Sequence, residues 1–357
     1  MTAIHETTTA GLARDALARS GEITELRLRL LLAAERQRWN LVNPAVAVVI
    51  DAIESLIDAG GKRLRPALCY WAYIGSGGAP GAPMLADVCA ALELVHVFGL
   101  VHDDIVDGAE HRRGVPTVHR RLAHDFPVPG DGQHARQVGT SLGILAGDLA
   151  LTFGDRLLDR VPPEVRGLVG ELKTEMCAGQ ILDVVMAAQE TWDLDQAIQV
   201  ALYKSAKYSV ERPLQIGACL ATGSAVLPPE LSEFGIALGL AFQLVDDLLD
   251  VFGDPDRTGK PRGGDLAEGK ITVLACLARD TLPDASVWER FGAGPVTDAD
   301  VEAYQDLLGV SQARKVVEDV AADLTRLALA KLEVLDLLPE AKEHLRALVG
   351  LISDREA

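Results

Sequence analysis

Two stretches of this chain are apolar around almost their whole circumference, and each ends in a cluster of aspartates. The first runs from Asp87 to Gly114, DVCAALELVHVFGLVHDDIVDGAEHRRG, and is apolar from Val88 to Val101 apart from Glu93 and His96 before it reaches Asp103, Asp104 and Asp107. The second runs from Glu233 to Phe252, EFGIALGLAFQLVDDLLDVF, where Asp246, Asp247 and Asp250 interrupt the same kind of sequence. A helix of this composition has little exposed surface and needs other elements packed around it. At about 100° per residue, Asp107 lies one turn beyond Asp103 and about 40° round from it, so the two share a face with Asp104 beside them.

The rest of the chain reads as helix too. It is rich in Ala, Leu, Glu and Arg, and its apolar residues recur at intervals of three and four, most plainly over residues 21–39 and 313–338. Strand signals are sparse, and the Val-rich stretch from Val46 to Ile50 is short and sits within a helical pattern. An all-α class follows. Gly and Pro cluster at residues 75–83, 126–132, 162–163, 228–229, 253–264 and 283–295, but none of these breaks is long enough for an interdomain linker. The expectation is a single domain of ten or more helices over residues 21–357, with residues 1–20 a loosely held extension because they lack a sustained apolar stripe.

The 357 residues are 48% hydrophobic and 24% charged, enough to bury a sizeable core. The net charge of −18 argues against nucleic acid or an anionic membrane as the main partner, since both are bound through basic surface. Any polyanionic substrate must therefore meet a local cluster of Lys and Arg. The five cysteines, Cys69, Cys89, Cys177, Cys219 and Cys276, are scattered singly, with no disulfide or zinc spacing, which points to a reducing compartment. There is no apolar leader region near the start and no unbroken apolar run of about 18 residues, so a soluble, cytoplasmic protein without a membrane span is expected.

Carboxylates grouped on an apolar helix repel one another and lose solvation, which costs several kcal/mol per ion unless compensated. One such motif alone could be the exposed end of a surface helix; two on apolar helices call for a cation. All-oxygen ligands without neighbouring cysteines favour Mg²⁺, Ca²⁺ or Mn²⁺ over zinc. Mg²⁺ takes one or two carboxylates and completes its shell with water and phosphate oxygens. The pattern predicts a diphosphate bridged by metal ions between two facing helices.

Basic residues lie near these motifs in the sequence. GGKRLRP, from Gly60 to Pro66, places Lys62, Arg63 and Arg65 after two flexible glycines. Arg112 and Arg113 follow the first aspartate cluster, Lys204 lies in YKSAKY, and Lys260 and Lys270 flank Asp265 in GKPRGGDLAEGK after the second. Arginine suits bidentate phosphate contacts, and lysine acts as a point charge.

In these pieces, and in LAGDLAL around Asp148, GQILD around Gln180 and the order in which all of them occur, the chain resembles the trans-isoprenyl diphosphate synthase, or polyprenyl synthetase, family from about residue 45 to residue 280. The resemblance implies helices around a central apolar cavity and a homodimer. It also implies condensation of isopentenyl diphosphate with an allylic diphosphate of C5 to C15. Asp103, Asp104, Asp107, Asp246, Asp247 and Asp250 would then hold three Mg²⁺ ions, for which Mn²⁺ can substitute, although Asp104 and Asp247 need not coordinate directly. Lys62, Arg65, His96 and Arg113 would bind isopentenyl diphosphate. Arg112, Lys204, Ser205 and Lys260 would hold the allylic diphosphate with Gln243 nearby and Lys270 as a further candidate; Ser205 stands where the family usually has Thr.

In this family bulky residues below the first aspartate cluster stop chain growth. Gly99 is one turn before Asp103 and Phe98 lies further round the helix, and that small-plus-aromatic pair resembles enzymes making geranylgeranyl diphosphate, C20. Farnesyl or longer products are the next expectation. A class I terpene cyclase also carries an aspartate motif on a helical fold, but it has a single diphosphate to bind and normally lacks a second DDxxD. A catalytically silent subunit typically loses one of the clusters, and both are intact here.

Overall fold

The computed structural model describes residues 2–129, 132–254 and 262–353. Its regular structure is helical apart from one small hairpin, β1 (His111–Arg112) and β2 (Val115–Pro116), among the described residues. The chain divides into two compact units. An N-terminal unit comprises Leu17–Tyr70 and Ala79–Pro162, and a C-terminal unit comprises Met1–Ala16, Trp71–Gly78 and Pro163–Ala357.

The N-terminal unit contains most of α1 (Thr2–Asn40), α2 (Pro44–Asp58), the start of α3 (Leu64–Gly75), α4 (Pro83–Val106), the hairpin, α5 (Val118–Asp125) and α6 (Gly132–Leu157). Asn43 starts α2 by accepting from the Ala45 N–H at 2.9 Å, with Pro44 in the first turn where its missing donor is harmless. Helix α4 packs chiefly on α6, which also carries α5. Glycines make this approach possible: a Cβ on Gly139 would lie 2.3 Å from the His119 carbonyl oxygen, and one on Gly147 2.4 Å from the His102 ring. By length and composition α4 could cross a bilayer, but 61% of its most apolar window is buried inside the protein.

The C-terminal unit is built from α7 (Pro163–Ala188), α8 (Leu194–Val200), a π-helix (Ala201–Glu211), α9 (Arg212–Thr222), α10 (Pro229–Phe252), α11 (Gly264–Glu268), α12 (Val273–Thr281), a 3₁₀ turn (Ser286–Glu289), α13 (Asp298–Val310), α14 (Ala313–Val334) and α15 (Pro339–Ser353). Leu244, Leu248 and Val251 recur on one face of α10 and are buried against Leu274, Tyr304, Leu308 and Val317. That stripe fixes which way the aspartates of α10 turn.

Helix α1 is continuous from Thr2, and Ala13, Ala16 and Ser20 on it are buried. The buried Trp71 indole donates to the Ala16 carbonyl at 3.1 Å and stacks on the His344 ring, which meets Asp15 at 3.0 Å. Their anchors lie more than 50 residues away in sequence, beyond the reach of a local pattern.

Candidate active site

In the N-terminal unit the GGKRLRP turn forms between α2 and α3. Gly60 and Gly61 adopt φ of +99° and +151°, values that side-chain-bearing residues rarely adopt. Arg63, also at positive φ, is buried and donates to Glu93 Oε1 at 2.6 Å and to the Ile57 carbonyl at 2.7 Å. It is therefore the peg that fixes the turn, and it accounts for the carboxylate buried in the middle of α4. Lys62 remains exposed, and Arg65 is half-buried on the first turn of α3.

The hairpin after α4 reaches back to this turn. Arg113 Nη1 donates to the Gly60 carbonyl, and a Cβ on Gly61 would lie 3.0 Å from the Arg113 guanidinium. Around His96 the charges of Arg65, Arg113, Arg112 and Arg63 converge. Burial first, and then these four guanidiniums, hold the imidazole well below its usual range, so it is neutral at physiological pH. Arg113 is itself lowered by burial, with the other arginines adding to the effect. Such a cluster carries the charge to hold an anion.

On the same unit Asp103 and Asp107 are half-buried, whereas Asp104 is fully buried and accepts from Arg112 Nε at 2.5 Å. Arg112 also approaches Asp103 at 3.6 Å. Burial pushes the Asp104 carboxyl up to about 6 despite Arg112, with Asp103 and Asp107 adding to the rise. Its Oδ2 has no hydrogen-bond partner.

The C-terminal unit repeats this arrangement on α10. Asp247 is buried and accepts from Gln243 Nε2 at 2.6 Å, while Gln243 Oε1 accepts from Ser205. Burial raises Asp247 to about 8, the Gln243 hydrogen bond opposing and the charges of Asp246 and Asp250 adding. Asp265 joins the group: its N–H donates to Asp250 Oδ2 at 3.0 Å, and burial followed by the Asp250 charge lifts its carboxyl well above the usual range. Lys270 bears on both Asp247 and Asp265 and pairs with Glu268 at 2.5 Å. Lys204 sits on the π-helix with its ammonium 2.6 Å from Asp183 Oδ2.

The Polyprenyl synthetase family matches residues 46–308 of the chain. The chain is a member of that family. It is 32% identical to a short chain isoprenyl diphosphate synthase of Methanothermobacter thermautotrophicus over 91% of the chain and 96% of the relative. It is 33% identical to the geranylgeranyl diphosphate synthase of Methanosarcina mazei, covering 80% and 83% of the two chains. Among solved structures, geranylgeranyl pyrophosphate synthase from Corynebacterium glutamicum, complexed with isoprenyl diphosphate and magnesium, superposes with a TM-score of 0.87 at 32% identity, covering 95% of this chain and 99% of that one.

The polyprenyl synthetase residues expected from the sequence thus fall into groups. Arg65, His96, Arg112 and Arg113 come together in the N-terminal unit beside Asp103, Asp104 and Asp107. Ser205, Gln243 and Asp247 form one hydrogen-bonded chain in the C-terminal unit. Phe98 and Gly99 are half-buried on α4, Phe98 lying edge-on to His102 at 4.6 Å. Lys260 lies outside the described residues. Sequence reasoning grouped Arg63 with the phosphate-binding donors of its loop, whereas its guanidinium is tied to Glu93 and the Ile57 carbonyl, and it assigned no role to Asp183 or Asp265; the regular spacing of Glu175, Gly179 and Asp183 four apart on α7 is the signal that could have found Asp183.

Among the described residues no three His, Cys, Asp or Glu side chains group tightly enough to hold a metal ion by themselves. The donors nevertheless suit a hard divalent cation. They are all carboxylate oxygens, one buried Asp104 oxygen is orphaned, and both inner carboxyls are raised by burial first and by the neighbouring aspartates after it.

Proposed function

We propose that this prenyltransferase condenses isopentenyl diphosphate with allylic diphosphates of C5 to C15 and releases a linear C20 diphosphate. The observation that carries the proposal is the gathering of Arg65 and Arg113 around a neutral His96, in the same unit as the carboxylates of Asp103, Asp104 and Asp107 that Arg112 joins. One cluster binds an anion directly and the other suits an anion carried by metal ions, so two diphosphates are provided for.

In this reading Asp103 and Asp107 in the N-terminal unit and Asp246 and Asp250 in the C-terminal unit would hold magnesium, three ions with Mn²⁺ as a substitute; when bound it would stabilise the charge that develops on the departing diphosphate. Asp104 and Asp247 act one step back, orienting Arg112 and Gln243. Lys62, Arg65, Arg113 and His96 bind isopentenyl diphosphate, and the imidazole donates one hydrogen bond while adding no charge. Arg112, Lys204 and Lys260 hold the allylic diphosphate, the Lys204 ammonium being aimed by its ion pair with Asp183. The largely apolar stretches Leu94–Val101 on α4 and Ile236–Val245 on α10 are each suited to keep water from a carbocation. The proton lost after addition goes to the leaving diphosphate, so no protein base is assigned.

The C20 length rests on Phe98 beside Gly99 on α4, with Phe98 held against His102. A homodimer fits the exposed apolar residues Ile144 and Leu145 on α6 and Ile181, Val184 and Val185 on α7. A cytoplasmic location fits five cysteines that are all free. Alanine at Asp103 or, separately, at Asp246 is expected to leave the fold intact and lower turnover by about 10³-fold or more. Steady-state kinetics beside circular dichroism checks this, and near-wild-type turnover in either variant removes the metal-assisted reading.

A further inference from the structure

The π-helix raises a question that the proposed chemistry does not answer. It runs for eleven residues, Ala201–Glu211, although π-turns are rare and usually single. Something outside the segment must hold its register. On one side, α7 presents Glu175, Gly179 and Asp183 at intervals of four. Glu175 accepts from Lys207 Nζ at 2.8 Å and from Arg212 Nε and Nη2, both at 2.7 Å. A Cβ on Gly179 would lie 2.3 Å from the Lys204 backbone nitrogen. Asp183 takes the Lys204 ammonium. On the other side, α10 presents Gly235, Gly239 and Gln243: a Cβ on Gly235 would meet Glu211 Cα at 2.6 Å, one on Gly239 would meet Ala206 Cα at 2.5 Å, and Gln243 accepts from Ser205.

The last π-turn is closed by the Arg212 N–H donating to the Lys207 carbonyl, five residues back. Lys207 and Arg212 are also the two residues whose side chains Glu175 ties together. A single carboxylate thus clamps both ends of the hydrogen bond that distinguishes this register from an ordinary α-helix. Glu211, buried beside it, receives Lys207 at 3.3 Å and Gln215 at 3.3 Å and accepts from Ser232.

We propose that Glu175 is a positioning residue for the allylic substrate: by clamping Lys207 to Arg212 it sets the π-register that aims Lys204 at one helix and Ser205 at the other. The inference rests on the reading that Lys204 holds the allylic diphosphate. Without the clamp the segment relaxes toward the α register, which turns Lys204 and Ser205 by up to about 100°. Glu175 itself touches neither substrate.

The test is the Michaelis constant for each substrate in Glu175→Gln, with Lys207→Met as a milder variant that keeps the Arg212 pair. Loss of positioning should raise the constant for the C15 allylic diphosphate by about tenfold to 100-fold in Glu175→Gln, and by less in Lys207→Met. The constant for isopentenyl diphosphate should stay within about twofold, because its proposed ligands lie on the turn before α3, on α3, on α4 and on the hairpin. Equal increases in both constants with a fall in Tm would reduce Glu175 to a structural role, and unchanged constants in both variants would overturn the proposal outright. Lys204→Ala, measured alongside, separates the two layers. If it leaves the allylic constant unchanged, the assignment of Lys204 fails; if it raises that constant while Glu175→Gln does not, the clamp alone fails.

Discussion

Within each DDxxD motif the middle aspartate turns away from its neighbours: Asp104 to Arg112 and Asp247 to Gln243. The two kinds of position should respond differently to truncation. Asp104→Ala leaves a largely buried guanidinium with only the longer Asp103 contact and should lower stability by about 3 kcal/mol, whereas Asp103→Ala should lower it by less than about 1 kcal/mol. Urea denaturation checks both, and equal losses would contradict the division of labour. The raised carboxyls give a second handle. With Asp247 at about 8 and Asp104 at about 6, the metal-free protein carries protons at neutral pH that a bound cation must displace. A cation held by the neighbouring aspartates favours loss of these protons, so Mg²⁺ affinity should climb as pH rises from about 6 to 8, with proton release visible as a buffer-dependent heat in calorimetry; an affinity flat across that range would count against a cation bound beside Asp104 and Asp247. All six aspartates were legible in the sequence, because clustered charge on an apolar helix demands a reason. Which of them turn inward was not, since the partners that decide it, Arg112 and Gln243, are placed by the hairpin and by Ser205.

The helices follow from apolar spacing, and their contacts depend on where side chains are missing. The Gly139 position on α6 faces the His119 carbonyl so closely that a methyl group cannot enter without moving α5. Gly139→Ala should cost about 1 to 3 kcal/mol even though alanine favours helix, as in overpacked cores generally. A thermal melt checks it, and a stability at or above wild type would mean that α5 yields freely. YKSAKY reads as ordinary helix from its residues alone; its π-register comes from Gly179, Gly239 and Glu175 on neighbouring helices, and no local propensity encodes that. The hairpin escapes a periodicity search for a simpler reason, because each of its strands is two residues long.

Over the whole molecule the sequence already carried the fold class and the family, since six motifs in a fixed order say more than any one of them. The net charge of −18 makes the arginine cluster around His96 more telling, because basic side chains have been gathered at one place in an acidic protein. The two-unit division has no linker signature because the chain passes between the units twice within helices, in α1 and α3, and twice at short breaks, at Gly78–Ala79 and Pro162–Pro163. The central claim is that two diphosphates meet in one condensation. It is tested most directly by incubating the purified protein with Mg²⁺, isopentenyl diphosphate and, separately, C5, C10 and C15 allylic diphosphates, and weighing the products by mass spectrometry. The account predicts a linear C20 diphosphate from each starter, formed only when both substrates and the metal are present. A cyclic hydrocarbon formed from an allylic diphosphate alone would contradict it.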